Sequence, residues 1–434
     1  MTMKYFIFFL SFSSFEVSFS QDIKVYFNQS VNNAVSVYAD AQTSDNLDDT
    51  ICKYIDLANE KLDIAVWDNG SDVITDCINE AYLRGVQVRY ITSSNALNSS
   101  LSNLNSNIPV LERNSGISSD VMHNKFVIVD ESYLITGSMN FNDGAIQDDY
   151  NNIVLIHNSQ VCYNYRIEFE EMWGGSGSAY ATSTSKFGTD KSDNTQHDFV
   201  IGGVNVESYF SPTDQTTLHI IEEIDAADYT LDIAMFTFIN NDISDAVIAA
   251  HNRGVAVRCI IENENYIGSE FNALQSAGIP VLSHDGVAFN FHHKYCIIDA
   301  LHTDSNPTVI TGSHNWTNSA EEEYDENTLV IHNPAICWQY LEEFSTRWFE
   351  LGGILSEKST IVDQRLPVIT SSNGITTISN IQEQSTFQIC TPDGKIYKTL
   401  KAGGGSEISF ALENGVYLLI HIEKESVQKF VVVK

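Results

Sequence analysis

The stretch Met122–Asn140, MHNKFVIVDESYLITGSMN, decides the fold, because the chain writes its pattern a second time in Phe291–Asn315, FHHKYCIIDALHTDSNPTVITGSHN. Each copy gives His, one residue, Lys, four residues, Asp, a gap, then Gly-Ser-x-Asn; the gap is six residues after Asp130 and twelve after Asp299. FVIVD and YCIID are β-branched and aromatic runs, the composition of a buried strand. Side chains on a strand alternate, so His123 and Lys125 project to one face and Asn124 to the other, and His292 and Lys294 do the same. A second apolar run follows in each copy, YLIT or TVIT, and ends in Gly-Ser-x-Asn. That predicts a turn bearing Ser138 and Asn140, or Ser313 and Asn315. An imidazole, an ammonium, a hydroxyl and an amide at the ends of two adjacent strands suit a phosphate group.

The repetition reaches well beyond the motif. Leu62-Asp63-Ile64-Ala65 returns as Leu231-Asp232-Ile233-Ala234, Arg84-Gly85-Val86 as Arg253-Gly254-Val255, Ile156-His157-Asn158 as Ile331-His332-Asn333, and Trp173 as Trp348. The chain is a tandem duplication. Each half reads strand, helix, strand, a polar helix-loop, the two motif strands and a helix ending at the Trp, which argues for α/β layering. Two homologous halves pack about a pseudo-twofold axis as an isologous dimer does, setting the two His-Lys edges face to face. Structural core histidines would account for one copy, but not for the return of the same four polar side chains.

These residues resemble the phospholipase D superfamily, whose signature HxK(x)4D(x)6GSxN is carried twice; the resemblance covers roughly Ile23 to Gly352. It implies two α/β/α halves and a hydrolase acting on phosphoric diester bonds through a covalent phosphohistidine, without metal or other cofactor. His123, Lys125, His292 and Lys294 would be catalytic. Two lysines offset charge growing on the non-bridging oxygens, with Ser138, Asn140, Ser313 and Asn315 as phosphate-binding donors. Two imidazoles divide nucleophilic attack from protonation of the leaving alcohol. Asp130 and Asp299 would be structural.

Eleven residues past the motif Asn, the family carries a carboxylate that bonds a catalytic histidine; here the second half has Glu326 and the first has Asn151. By resemblance, Glu326 reaches across to His123, making His123 the nucleophile and His292 the general acid, with the reverse assignment as the alternative. The rest of the acidic run from Glu321 to Asp325 reads as a solvated face. His157 and His332 read as capping or turn residues.

Composition bounds the substrate without choosing it. The 434 residues hold 23 Lys plus Arg against 57 Asp plus Glu, a net charge of −34, and no basic run. That weighs against tight binding of long duplexes and does not favour anionic membranes. A phospholipid substrate, with transphosphatidylation as a side activity, stands ahead of a secreted metal-independent endonuclease, and a non-catalytic cell-surface binding protein comes third. Phe289 and Phe291, beside the second motif, would touch an acyl chain or a base, or be strand core.

Residues 1–20 hold one Lys, the apolar run from Tyr5 to Phe12 and then small residues, the pattern of a signal peptide too short to span a membrane. Residues 22–173 and 199–352 are the two halves, and the Gly/Ser/Thr/Asp-rich 174–198 is their linker. Residues 366–434 alternate short strands and turns, with a turn at Pro392-Asp393-Gly394, as a small β-sandwich does. Its Asn414-Gly415-Val416-Tyr417 and closing Lys429–Lys434 resemble type IX secretion sorting domains; a β-sandwich adhesion module is the alternative. The expectation is a secreted or cell-surface monomer with no transmembrane span, meeting the secretion machinery through its tail. Seven cysteines make no disulfide framework. Cys162, Cys259, Cys296 and Cys337 fall on apolar elements as small hydrophobes, while Cys52 and Cys77 are a pair that could bridge.

Overall fold

The computed structural model describes residues 22–31, 41–43, 46–114, 121–302 and 304–353, and beyond them the strands that lie between 368 and 432. Two eight-stranded mixed sheets carry the fold. The first contains β1 (Ile23–Phe27), β2 (Gln42–Thr43), β3 (Lys61–Val66), β4 (Gln87–Ser93), β5 (Val110–Arg113), β6 (Lys125–Val129), β7 (Tyr133–Gly137) and β8 (Asn152–His157), in the order β2-β1-β8-β7-β6-β3-β4-β5. The second contains β9 (Asp198–Ile201), β10 (Val204–Ser211), β11 (Thr230–Met235), β12 (Ala256–Ile261), β13 (Val281–Ser283), β14 (Lys294–Ile298), β15 (Thr308–Gly312) and β16 (Glu326–His332), in the order β13-β12-β11-β14-β15-β16-β10-β9. β3 to β8 correspond one by one to β11 to β16, and β1 to β10. The duplicated sequence is a duplicated sheet.

Strand direction decides where the chemistry collects. β3 runs parallel to β4 and antiparallel to β6, with Val66 opposite Lys125; β11 runs parallel to β12 and antiparallel to β14, with Met235 opposite Lys294. The carboxyl ends of β3 and β4 and the amino end of β6 therefore share one edge, as do their counterparts. Asp130 and Asp299 lie at the other edge. There each carboxylate accepts from three successive backbone N–H groups, Asn59 to Lys61 at 2.7–2.9 Å and Asp228 to Thr230 at 2.7–3.0 Å.

Alternation along the strands feeds three cores. Leu62, Ile64, Val127 and Val129 face α1 (Leu47–Ile55), α2 (Asp72–Leu83) and α3 (Asp143–Gln147). In the second half Leu231, Ile233, Cys296 and Ile298 face α5 (Thr216–Asp225), α6 (Asn241–Arg253) and α7 (Phe271–Ser276). The opposite parity, Phe126 and Ile128 with Tyr295 and Ile297, joins α4 (Ser159–Trp173) and α9 (Pro334–Glu350), the long helix that comes after the short α8 (Asn318–Glu322), in one central core shared by both halves. Asp63 and Asp232, charges inside strands, are answered by bidentate Arg89 (2.6 and 2.8 Å) and Arg258 (2.7 and 2.9 Å). Each guanidinium lies over the aromatic end of α4 or α9, Phe169 and Trp173 or Phe344 and Trp348.

Across the central core the polar contacts come in symmetric pairs. Thr136 Oγ1 donates to Asn327 Oδ1 and Thr311 Oγ1 to Asn152 Oδ1; Tyr165 OH donates to Asn327 Oδ1 and Tyr340 OH to Asn152 Oδ1. Reciprocal bonds of this kind are the mark of an isologous interface.

Several details differ from the sequence expectations. In Ile-His-Asn the caps are the asparagines: Asn158 and Asn333 accept from the first-turn N–H groups of α4 and α9. His157 instead stacks on Tyr133, and His332 bonds Glu207 and Thr308. Residues 174–198 join the halves, but as a packed strap: Phe187 lies against the central core, Gly188 N donates to Asp325 Oδ1, and Lys191 is buried. Asp325, expected on a solvated face, is fully buried. Cys52 and Cys77, the pair that could bridge, form a disulfide between α1 and α2, and Cys162, Cys259, Cys296 and Cys337 are free and buried, as small hydrophobes on apolar elements should be. Beyond residue 353 the described strands form a three-stranded and a four-stranded sheet around a small core containing Ile378, Phe387, Ile389 and Phe410. Residues 1–20, read above as a signal peptide, Pro392-Asp393-Gly394 and Asn414 lie outside the described residues. No helix among the described residues is long and apolar enough to cross a membrane.

Candidate active site

His123 and His292 stand just ahead of β6 and β14, at the edge where the two halves meet. Each lysine folds back on its own copy: Lys125 Nζ donates to His123 O at 2.7 Å and Lys294 Nζ to His292 O at 2.9 Å. Each histidine takes its Nδ1 partner from the other half. Glu326, the first residue of β16, places Oε1 2.7 Å from His123 Nδ1, and Asn151, immediately before β8, places Oδ1 2.9 Å from His292 Nδ1. Asn151 Nδ2 donates to Ala145 O, which fixes the amide with its oxygen toward the ring. Both rings are thus held as Nδ1–H, with Nε2 left for chemistry.

The Gly-Ser-x-Asn turns are tight for a steric reason. A Cβ on Gly137 (φ +143°) would lie 2.3 Å from Asn152 O, and one on Gly312 (φ +146°) 2.2 Å from Asn327 O. Ser138 Oγ donates to Asn151 Oδ1 at 2.8 Å and accepts from Asn152 N; Ser313 Oγ accepts from Asn327 N. Both hydroxyls are buried in bonds that position the partners of the histidines, so they orient the site rather than face a ligand. Asn140 Oδ1 and Asn315 Oδ1 are buried with no hydrogen-bond partner among the described residues.

Against this geometry, the family model described as cardiolipin synthase, PLD-like domain, matches residues 51–173 and 220–348. The chain belongs to the phospholipase D-like family. Among relatives, it is 35% identical over 141 residues to a mitochondrial cardiolipin hydrolase of Chlamydomonas reinhardtii, covering 32% of this chain and 60% of that one. It is 36% identical over 126 residues to that of Xenopus tropicalis, covering 29% and 57%. The match therefore spans less than two thirds of either relative. In fold, it is similar to the phosphatidylserine synthase of Haemophilus influenzae, with a TM-score of 0.53, 12% identity, and 75% and 85% of the two chains covered. This is a phospholipase D-like enzyme with both halves of the site in one polypeptide.

Its site is a buried cluster of bases. Burial, then the ammonium groups of Lys125 and Lys294, holds His123 well below the ordinary imidazole value. Burial and the same two lysines do so for His292. Burial brings Lys125 down to about 7, and burial with Lys125 nearby lowers Lys294. Burial pushes Glu326 up to about 7, against the pull of Lys125 and His314. The crossed Nδ1 bonds, Glu326 to His123 and Asn151 to His292, draw the groups of both copies to one space at the seam between the halves. An anion entering that space favours every protonated form, so phosphate binding is coupled to proton uptake.

Other residues of this phospholipase D-like site escaped the sequence reading. Trp67 and Phe236 follow β3 and β11 and set their rings 5.5 and 4.7 Å from those of His123 and His292. An aromatic closing the same strand in both copies was the signal available. Asp325 carries Glu326 and is gripped by Arg113 (2.7 Å), Lys191 (3.1 Å) and Gly188 N (2.8 Å), while its carbonyl accepts from His123 N. Nothing in an acidic run separates this buried member from its exposed neighbours. His314, the variable residue of the second turn where the first has Met139, is buried beside Glu321.

Two groupings among the described residues could offer metal ligands, Asp193-His197-Asp214 and Glu207-Glu223-His332, and neither contains a motif residue. A cavity of about 660 Å³ lined by Gln196, Asn205, Glu207, Glu223 and His332 likewise lies apart from the two histidines.

Proposed function

We propose that this chain hydrolyses phospholipid phosphodiester bonds by two displacements at phosphorus. His123 Nε2 attacks, the P–O bond to the leaving alcohol breaks, and His292 Nε2–H gives that oxygen its proton. His292 then takes a proton from water, the hydroxide attacks phosphorus, and the P–N bond breaks to restore His123. An alcohol in place of water gives transphosphatidylation. Lys125 and Lys294 offset charge on the non-bridging oxygens, with Asn140 and Asn315 beside them.

The observation that carries the assignment is the inequality of the Nδ1 partners. The Glu326 carboxylate supports a positive imidazole, as the third member of a catalytic triad does, and makes His123 the better nucleophile. The Asn151 amide gives a protonated His292 no such support, so it is the stronger acid. The lipid reading is supported by relatives named cardiolipin hydrolase, by the aromatic walls Trp67 and Phe236, and by a net charge of −34 that suits a polyanion poorly. The leader-like residues 1–20 and the sorting-like tail support export through type IX secretion to the medium or cell surface.

Purified protein is to be assayed on phosphatidylcholine vesicles beside single-stranded and duplex DNA, with and without EDTA. Choline release that survives EDTA is expected. DNA nicking without choline release overturns the lipid reading in favour of an endonuclease.

A further inference from the structure

We propose that the catalytic edge is a lipid-docking face, on which Leu97, Tyr266, Ile267, Val287 and Phe289 enter the surface of a membrane made of zwitterionic lipids. The inference rests on the phospholipid reading and concerns how the substrate is reached.

Placement is the first argument. Leu97 lies in the loop after β4, and Tyr266 and Ile267 lie in the corresponding loop between β12 and α7. Both loops leave from the carboxyl ends of strands whose neighbours end at the catalytic edge. Val287 and Phe289 lie between β13 and β14, in the segment that leads into His292. Leu97 and Ile267 are each 92% exposed, Tyr266 and Phe289 55%, and Val287 43%. The other half of the sequence expectation, Phe291, is buried core. At the opposite edge the exposed apolar side chains are Leu57 and Leu83 in the first half and Leu301 in the second.

These loops are tied to the catalytic groups. Asn95 Oδ1, two residues from Leu97, accepts from Trp67 Nε1 at 3.1 Å, and Trp67 packs against His123. Glu262 Oε2, in the loop of Tyr266 and Ile267, accepts from Phe291 N at 2.6 Å, one residue before His292. Asn290 donates to Asp149 Oδ1 through N and Nδ2, at 2.8 and 2.9 Å. Next to that anchor, Phe289 sits at φ +67°. A bulky aromatic in the left-handed region is strained, and strain of this kind persists where the surroundings enforce it. Here it presents a ring to solvent beside the mouth of the site.

Charge selects the kind of surface. Residues 94–98 carry no charged group, and 262–270 and 284–291 carry Glu262, Glu264, Glu270 and Asp285 with no Lys or Arg. Apolar tips with an acidic rim gain from insertion into an interface and are repelled by an anionic one. A phosphodiester buried at headgroup depth comes within reach of the two histidines only if the rim around them sinks to that depth.

The test uses the full chain with His123→Ala, so that lipid is not consumed, sedimented with phosphatidylcholine vesicles. Adding Leu97→Ser and Ile267→Ser is expected to weaken partitioning by roughly tenfold or more. The same pair of changes, made with His123 intact, is expected to leave turnover of soluble bis(p-nitrophenyl) phosphate within about twofold, which also establishes that the variant folds. Equal partitioning of the two proteins overturns the proposal, as does preference for phosphatidylglycerol vesicles that salt abolishes. Parent protein that binds vesicles without releasing headgroup leaves docking standing and removes the lipase reading. Parent protein that cleaves a monomeric short-chain phospholipid yet does not bind vesicles does the reverse.

Discussion

Replacing Glu326 with Gln keeps the size of the side chain and removes one charge from the site. Its Oε1 lies 2.7 Å from His123 Nδ1, so the charge centres of carboxylate and imidazolium fall about 4 Å apart. At an effective dielectric of about 20, their attraction is about 4 kcal/mol, which is roughly 10³-fold in rate if it is realised only when the imidazole turns positive. The amide retains a hydrogen bond, as Asn151 does for His292, so the loss should fall short of the roughly 10⁴-fold seen where an amide imposes the wrong tautomer on a triad histidine. The assay is turnover of bis(p-nitrophenyl) phosphate across pH 5 to 9. The same change should stabilise the fold. Burial raises Glu326 from an ordinary 4.5 to about 7, so the folded state keeps a proton that the unfolded state has lost between those values. The penalty is absent below 4.5, grows through that window and is complete above about 7, where it amounts to about 3 kcal/mol. E326Q should melt higher than the parent at pH 8 and together with it at pH 4. A rate loss under about tenfold, or a larger loss from Asn151→Ala, refutes the reasoning.

With His292→Ala and a p-nitrophenyl leaving group, which needs no acid, the first displacement should survive; protein denatured in alkali, where a P–N bond to histidine persists, should then carry the p-nitrophenyl phosphoryl group on His123, and the same group trapped instead on His292 in His123→Ala reverses the assignment. Lys191→Met strips the cation from buried Glu168 and Asp325 and should cost about 3–5 kcal/mol at pH 8, less at pH 5 where Glu168, pushed up to about 7 by burial, takes up a proton, as urea unfolding will measure. Opening the Cys52–Cys77 bridge, 25 residues apart in sequence, should cost about 3 kcal/mol of stability with turnover unchanged, because it clamps α1 to α2 away from the histidines. A melting temperature unmoved by Cys52→Ser with Cys77→Ser contradicts that.

The fold was legible because its strongest signals are periodic and duplicated. A motif written twice announces two like sheets, and strand alternation in FVIVD and YCIID puts Phe126 and Tyr295 in the core between them. What stayed hidden depends on distant partners. Asp325 and Lys191 look like ordinary surface charges until the strap between the halves folds over them, and a Gly/Ser-rich composition carries no hint of that packing. Ser138 and Ser313 read as phosphate donors by type, but their hydroxyls are turned inward by Asn152 and Asn327, neighbours in space rather than in sequence. A Phe at positive φ has no pattern in the chain at all.

The crossed partners Glu326 and Asn151 have one more consequence. Two identical subunits meeting on a true dyad must give both rings the same neighbour, so their nucleophile is chosen afresh by whichever way the substrate lands. Joining the copies in one gene product let mutation touch a single seat. On the proposed assignment the diester approaches in one orientation, with the departing group always on the His292 side, and the two flanks of the cleft are free to diverge, one shaped to the part that stays and the other to the part that leaves.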